Sequence, residues 1–189
     1  MKIKVLTEHG YKEALLGLSL SYYREGLNID TWWTEDKQIK AAKLAQSLAF
    51  KGLGHSKYLA SIQVWLLVTA PRAWWIEMDT YKVGMTTNSA SSMHTLMKEP
   101  VTADNFAVGT SIVLIDNLNK LIEDKADITT VKMNLPEGYL QTRQVCLNYM
   151  ALQNIIKQRS GHRLKYWDMF CTEIMKQVDH PELLTLPER

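Results

Sequence analysis

Cysteine is scarce in this sequence, and long hydrophobic runs are absent from it. Of the 189 residues only Cys146 and Cys171 are cysteines, and they do not form a Cys-x-x-Cys pair. A disulfide framework and a thiolate zinc site are therefore not expected. No stretch reaches the roughly eighteen consecutive apolar residues of a membrane-spanning helix, and the N-terminal MKIKVLTEHG lacks the apolar core of a signal peptide. We expect a cytoplasmic protein with reduced thiols and no membrane partner.

A surplus of charge is missing too. The 22 Lys and Arg residues and the 20 Asp and Glu residues leave a net charge of +2. Sequence-independent binding to nucleic acid depends on a basic surface that neutralises phosphates, so nucleic acid is not an expected partner. The phosphate loop, the dinucleotide-binding glycine pattern, the paired histidines of metalloproteases and the nucleophile elbow are also missing. Because the five histidines have no regular metal-ligand spacing, we expect no metal site.

Tryptophan, by contrast, is abundant. Such large flat side chains occur both in hydrophobic cores and in ligand pockets. Composition alone leaves both interpretations open, and the position of each residue must decide between them. The six tryptophans are Trp32, Trp33, Trp65, Trp74, Trp75 and Trp167.

The first half of the chain alternates short strands with amphipathic helices. Residues 58–69 carry apolar side chains at period two, with Trp65 and Leu67 on the second face, which is the pattern of a strand covered on both sides. Ala70-Pro71 ends this strand, and proline is tolerated in the first turn of the helix that follows. Apolar spacing, glycines and hydroxyl residues define the other segments. We predict strands at 2–6 and 58–69, helices at 13–23, 37–50 and 72–81, and a loop at 82–92.

The second half of the chain is predicted to be helical. Apolar residues repeat at helical spacing in 111–124, in 142–158 and between 164 and 178. The last two helices are separated at Ser160-Gly161, and a tail begins at about Pro181. Since there is no internal repeat and no clear linker, we expect residues 1–189 to form one domain. We predict an α/β (α+β) fold, a helix-rich single domain with a small central sheet.

Three polar segments are candidates for binding an anion. The loop around His55 precedes the buried strand, and the hydroxyl-rich loop 86–92, followed by Met93-His94, offers N–H groups and hydroxyls to an anion. The third is a basic cluster where one helix ends and the next begins, a position that favours a phosphate. A helix stop, an exposed loop and a solvated charged face are the structural alternatives. The basic cluster consists of Lys157, Arg159, His162, Arg163 and Lys165.

The segment HSKYLASIQVWLLVTAPRAWWIEMDTYKVGMTTNSASSMH resembles the central region of the flavin-dependent thymidylate synthases. That family has a histidine-bearing loop, a buried strand, a break, an aromatic helix, an Arg-His-Arg triplet and a serine in an Asn-Glu-x-Ser-x-Arg-Tyr context. RQVCLNYMALQNIIKQR and HRLKYW are similar to its C-terminal helices and the basic turn between them. When the segments are aligned on Ala70-Pro71, the triplet falls on Thr80, Tyr81 and Lys82, the serine near Ser91, and the histidine on His55.

This resemblance implies a fold, two ligands and an activity. The chain would have the flavin-dependent thymidylate synthase fold and assemble as a homotetramer. It would bind FAD and a uridine monophosphate, with NADPH and methylenetetrahydrofolate as co-substrates for the methylation of dUMP to dTMP. The flavin would carry the hydride chemistry while the protein orients the reactants and neutralises the phosphate. The resemblance implies catalytic roles for Ser91 and Arg159, cofactor contacts from His55, Tyr81, Lys82 and His94, and substrate contacts from Arg72, Ser89, Arg159 and Arg163.

Several side chains depart from the family's pattern. Thr80 and Tyr81 stand where the family has arginine and histidine, Lys82 is only a point charge, and Met93-His94 replaces the closing Arg-Tyr. Each lost charge-assisted contact costs about 1.5 to 3 kcal/mol, so the sequence leaves open whether the chain is an enzyme. It is a divergent enzyme with a rebuilt site, or a non-catalytic protein that binds or sequesters a nucleotide on the same fold. A helical interaction module with aromatic residues in its core is the third alternative.

Overall fold

A four-stranded antiparallel sheet organises the chain. The computed structural model describes residues 1–185, and in this part of the chain the strands lie in the order β1-β2-β4-β3. The strands are β1 (Lys2–His9), β2 (Gln63–Pro71), β3 (Met85–Ser89) and β4 (Leu140–Asn148). The helices are α1 (Tyr11–Ser19), α2 (Ile29–Trp32), α3 (Glu35–Leu48), α4 (Arg72–Met78), α5 (Ser92–Thr95), α6 (Ile112–Glu123), α7 (Ile128–Met133), α8 (Tyr149–Arg159) and α9 (Tyr166–Gln177). This architecture confirms the predicted helix-rich α/β fold with a small central sheet.

Strand β2 lies at the centre of the main hydrophobic core. It pairs with β1 on one side and with β4 on the other, and its side chains alternate between the two faces of the sheet. Val64, Leu66 and Val68 are fully buried in one cluster with residues of α4, α8 and α9. On the other face, Leu67 is 40% exposed and Trp65 is half-buried. The prediction that both faces are covered is therefore wrong for the single chain, because the helices cover only the Val64 face.

The helix predicted at 142–158 begins only at Tyr149, and the residues before it form β4. Val145 and Leu147 are both buried, and this alternation is the period of a strand. The error arose because Val145 and Tyr149 are also four residues apart, which is a helical spacing. Asn148 marks the change of structure, since its side chain accepts a hydrogen bond of 2.8 Å from a backbone N–H in the first turn of α8.

The loop predicted at 82–92 contains the edge strand β3, so that prediction is wrong for residues 85–89. Four of the five residues of β3 are exposed, and no alternation of apolar and polar residues marks the strand in the sequence. It forms because its backbone pairs with β4, with Ser89 opposite Arg143. The pairing partner, and not the local sequence, determines this strand.

The end of the chain packs against the main core. The break predicted at Ser160-Gly161 is confirmed between α8 and α9, where Gly161 has a φ of +71°. The segment predicted as a tail from Pro181 buries Leu183 and Leu184 in the main hydrophobic cluster. The last part of that predicted tail, residues 186–189, lies outside the described residues.

Gly84 allows the start of β3 to lie close to Asn148. Its φ is +72°, and a Cβ atom added to it would lie 2.5 Å from Nδ2 of Asn148. We expect Gly84→Ala to lower the free energy of unfolding by about 2 kcal/mol, because left-handed backbone strain is added to a displaced helix cap. Urea denaturation followed by circular dichroism measures this loss.

Gly109→Ala is the matched control. Gly109 has a φ of +92°, but a Cβ atom added there has no heavy atom within 4 Å. Only the backbone strain, about 1 kcal/mol, is therefore expected. Equal losses of stability in the two variants would contradict a role for the contact with Asn148.

Candidate functional site

The end of α4 meets the junction between α8 and α9. Pro71 precedes the first turn of α4, and Trp74, Trp75 and Met78 are buried in the core. Glu77 lies three residues after Trp74 and next to Met78, so it is close to the buried side of α4, which faces the α8–α9 junction. There Glu77 contacts side chains of both later helices.

A single carboxylate oxygen of Glu77 accepts two hydrogen bonds from these helices. Its Oε2 atom lies 2.6 Å from Nη1 of Arg159 and 2.8 Å from Nε1 of Trp167. Nε2 of His162 lies 3.7 Å from the same oxygen. We call Glu77, Tyr81, Arg159, His162 and Trp167 the Glu77 cluster. Because the bond to Arg159 is charge-assisted and only 16% of the Arg159 side chain is exposed, it is one of the stronger polar contacts in this region.

Aromatic rings hold the guanidinium of Arg159 from the sides. Its Cζ atom lies 4.6 Å from the centroid of a Trp167 ring and 5.4 Å from the Tyr81 ring, distances at which cation–π attraction acts. Nε of Arg159 donates to the Tyr81 hydroxyl over 2.8 Å. The Tyr81 hydroxyl in turn donates to Oε1 of Gln158 over 2.9 Å. These contacts hold Arg159 next to Tyr81, whose hydroxyl links it to Gln158.

A cleft of about 330 Å³ lies in front of Tyr81 and Gln158. Two amide side chains one helical turn apart, Asn154 and Gln158, are joined by a hydrogen bond of 3.0 Å on its α8 side. Hydroxyl, amide, apolar and ammonium groups thus surround one opening. We call this opening the Tyr81 cleft; it is lined by Thr80, Tyr81, Lys82, Val83, Ala151, Asn154 and Gln158.

A second arginine is paired with an acid close to the end of α4. Nη1 of Arg143 lies 2.6 Å from Oδ1 of Asp79, and its Cζ atom lies 4.3 Å from the Trp75 ring. Arg143 is on β4, opposite Ser89 of β3 in the sheet register. The ion pair therefore neutralises Asp79 and links β4 to the end of α4.

The structure brings together only some of the residues that the resemblance assigned to a site. Tyr81 and Lys82, expected to contact a cofactor, line the Tyr81 cleft. Arg159, expected to be catalytic and to bind substrate, lies directly behind it. Arg163, expected to bind substrate, is exposed four residues later at the same α8–α9 junction.

The other assigned residues lie elsewhere in the described chain. Arg72 donates to the carbonyl oxygen of Leu135 at 3.0 Å and pairs loosely with Glu137, so it fastens the segment before β4. Ser89 ends the edge strand β3. Within residues 1–185, no side-chain hydrogen bond joins the remaining three to the Glu77 cluster or the Tyr81 cleft. They are His55, Ser91 and His94, and all three are exposed.

Sequence reasoning missed Glu77, Asn154 and Gln158. Two spacings carried the signal: Glu77 lies four residues before Tyr81, and Asn154 lies four residues before Gln158, so each pair shares a side of a helix or of its continuation.

Position in the structure also decides the role of three tryptophans. Trp74, Trp75 and Trp167 are at most 1% exposed and belong to the core.

Neither cysteine is an activated nucleophile. Burial raises the pKa of the Cys171 thiol to about 11, and burial also raises the pKa of the Cys146 thiol. A thiol reacts as the thiolate, so both are held in the unreactive form at neutral pH.

Within residues 1–185 no group of three His, Cys, Asp or Glu residues could hold a metal ion, and no helix is long and apolar enough to cross a membrane.

Solved structures share the whole architecture of this chain. ThyX, thymidylate synthase X from Helicobacter pylori with FAD and dUMP, is 17% identical and matches with a TM-score of 0.80 over 97% of each chain. The UMP/dUMP methylase PolB from Streptomyces cacaoi bound with 5-Br dUMP is 11% identical, with a TM-score of 0.66 over 96% of this chain and 92% of PolB. The chain has the flavin-dependent thymidylate synthase fold. No family model and no curated protein matches its sequence.

The Glu77 cluster joins α4 to the α8–α9 junction of this flavin-dependent thymidylate synthase fold. Trp167→Phe removes the Nε1–H donor to Glu77 from a fully buried position. We expect a loss of about 2 kcal/mol in the free energy of unfolding, because a hydrogen bond to a charged group is lost. Chemical denaturation of the variant and the parent protein measures the difference.

Trp65→Phe is the control for the loss of an indole. Trp65 is half-buried on the open face of β2, and within residues 1–185 its indole N–H makes no hydrogen bond. The expected loss is below about 1 kcal/mol, as is usual for positions away from the core. A larger loss for Trp65→Phe than for Trp167→Phe would show that the bond to Glu77 adds no stability.

Proposed function

We propose that this chain binds FAD and a uridine monophosphate and methylates dUMP to dTMP. The observation that carries the proposal is the shared fold over 97% of this chain and of ThyX, which was solved with FAD and dUMP. PolB, a UMP/dUMP methylase with the same fold, was solved with brominated uridylates. Two different proteins of this fold thus take a uridylate, which supports the ligand class.

The residues of the Tyr81 cleft suit a nucleotide. Lys82 is exposed and forms no ion pair within the described chain, so its ammonium is available for a phosphate. The amides of Asn154 and Gln158 can pair with the edge of a base, and the Tyr81 ring is half-buried beside them. A cleft of about 330 Å³ is at the small end of ligand pockets, so one chain can enclose a mononucleotide or one end of FAD.

The rest of the binding machinery comes, in this proposal, from the other predicted residues and from partner subunits. Arg159 and Arg163 bind the uridylate phosphate beside Lys82. The assigned residues outside the cleft act across an interface in a homotetramer. The half-buried Arg72 and the exposed Ser89 and Ser91 act toward the substrate, and His55 and His94 act toward the cofactor. Bound FAD supplies hydride transfer, with NADPH and methylenetetrahydrofolate as co-substrates in the cytoplasm.

A second candidate is a nucleotide-binding protein without catalytic activity. The observation that favours it is the pairing of Arg159 with Glu77 at 2.6 Å, which occupies the guanidinium that the enzymatic proposal assigns to substrate. Thr80 and Tyr81, in place of charged side chains, also reduce the number of donors for a phosphate. Such a protein would sequester a uridylate or another phosphorylated nucleotide.

Lys82→Ala tests the site. Loss of one charge-assisted contact should weaken dUMP binding by about tenfold, since such a contact contributes about 1.5 to 3 kcal/mol. Titration calorimetry with dUMP in the presence of FAD measures the affinity, and the visible flavin absorbance reports FAD binding. Lys43→Ala, an exposed lysine of α3, is the matched control and should leave the affinity unchanged.

Product analysis separates the two candidates. Formation of dTMP from dUMP with methylenetetrahydrofolate and NADPH supports the enzyme. Binding of dUMP that raises the melting temperature without any product supports the sequestering protein, because a ligand that binds only the native state stabilises it. If no flavin and no phosphorylated nucleotide, dUMP included, shifts the melting temperature, both candidates are wrong.

A further inference from the structure

Arg159 already has an anionic partner inside the protein. A guanidinium carries five N–H donors. In this structure Nη1 donates to Glu77 at 2.6 Å and Nε donates to Tyr81 at 2.8 Å. Within residues 1–185, Nη2 makes no hydrogen bond to an acceptor. Nη1 also lies 3.0 Å from Nε2 of His162. Protein groups therefore hold Nε and Nη1, and the two N–H groups of Nη2 remain for an external anion.

The carboxylate of Glu77 holds one of the donors that a phosphate would use, Nη1 of Arg159. Arginine binds carboxylates and phosphates through the same fork of N–H groups. Glu77 is 32% exposed and Arg159 is 16% exposed, so water reaches this pair. Exchange of one anion for another is therefore much less costly than it would be in a sealed interior.

Both partners keep other contacts if they separate. Glu77 retains the Trp167 indole donor at 2.8 Å and the nearby His162 ring. Arg159 remains between the rings of Trp167 and Tyr81. The cluster can therefore adopt a second arrangement in which the guanidinium turns to an external anion without leaving a bare buried charge.

The position of Arg159 directs such an anion to the Tyr81 cleft. Tyr81 and Gln158 form the wall between the guanidinium and the cleft, and the two are joined by one hydrogen bond of 2.9 Å. The other arginine–acid pair in the region, Arg143 with Asp79, lies against Trp75 and does not line this cleft. Within residues 1–185, the Glu77 pair is connected to the cleft by the bond from Arg159 to Tyr81, whereas no side-chain hydrogen bond joins Arg143 or Asp79 to a cleft residue.

We infer that Glu77 is an exchangeable internal counter-ion that competes with phosphate for Arg159 and so sets how tightly the Tyr81 cleft holds an anionic ligand. As a statement about nucleotides, the inference rests on the proposed function. As a statement about inorganic phosphate, it stands independently. Glu77 is then a specificity-determining residue, because weakly charged ligands do not displace it and a phosphate does.

Glu77→Gln tests the competition. Glutamine keeps an oxygen for the Trp167 indole but removes the charge that holds Arg159, so we expect orthophosphate to bind about tenfold more tightly than to the parent protein, as measured by calorimetry. Glu173→Gln makes the same change in net charge at a glutamate paired with Lys176 on α9 and should leave the affinity unchanged. Equal or weaker phosphate binding by Glu77→Gln overturns the inference.

Chemical modification locates the effect at Arg159. Phenylglyoxal should modify Arg159 slowly in the parent protein and faster in Glu77→Gln, and phosphate should protect it, as read by peptide mass spectrometry. Absence of protection overturns the inference. If Glu77→Gln fails to fold, the protection of Arg159 by phosphate in the parent protein remains as the test, because a phosphate that displaces Glu77 must shield the guanidinium.

Nucleotide titrations distinguish this inference from the proposed function. If dUMP binds the parent protein and Glu77→Gln equally well, the competition is wrong and the proposed function stands. If orthophosphate binds Glu77→Gln more tightly but neither protein binds dUMP or FAD, the competition is correct and the proposed function is wrong.

Discussion

The carboxylate of Glu77 joins three helices. Glu77 lies on α4, and its Oε2 atom accepts hydrogen bonds from Arg159 at the end of α8 and from Trp167 near the start of α9. A charge among aromatic rings is costly unless it is paired and hydrogen-bonded, and here both conditions are met. The placement of the α8–α9 junction against α4, and with it the back wall of the Tyr81 cleft, depends on this group.

The fold of this chain is shared with ThyX, whereas the chemistry of the site depends on which charged groups are paired inside the chain. The main chain follows that of ThyX over almost the whole length, because the order of strands and amphipathic helices is retained. The charged groups near the cleft are instead largely satisfied within the chain, as the Glu77–Arg159 and Asp79–Arg143 pairs show. A fold of this kind can keep a nucleotide-sized opening while the strength of anion binding is set by which acid its arginines contact.

A prediction from the sequence was confirmed where the pattern of neighbouring residues reports the structure, and it failed where the structure depends on residues far along the chain. The burial of one face of β2 was readable, because Val64 and its neighbours at period two report burial directly. The resemblance assigned cofactor contacts to Tyr81 and Lys82; that role stays a prediction, and both residues line the cleft. Strand β3 was not readable, since its residues are exposed and only pairing with β4 makes it a strand. Strand β4 was mistaken for helix because its apolar residues continue at helical spacing into α8.

By itself the sequence determined the helix-rich fold class with a small sheet, the positions of β1 and β2, and a basic cluster at the α8–α9 junction, because amphipathic periodicity and turn residues act over short stretches of chain. Only the tertiary structure decided what that cluster does. The partner of Arg159 is 82 residues away and the indole that shares it is 90 residues from Glu77. No local pattern records contacts of that range, since they arise only when the sheet brings α4, α8 and α9 together.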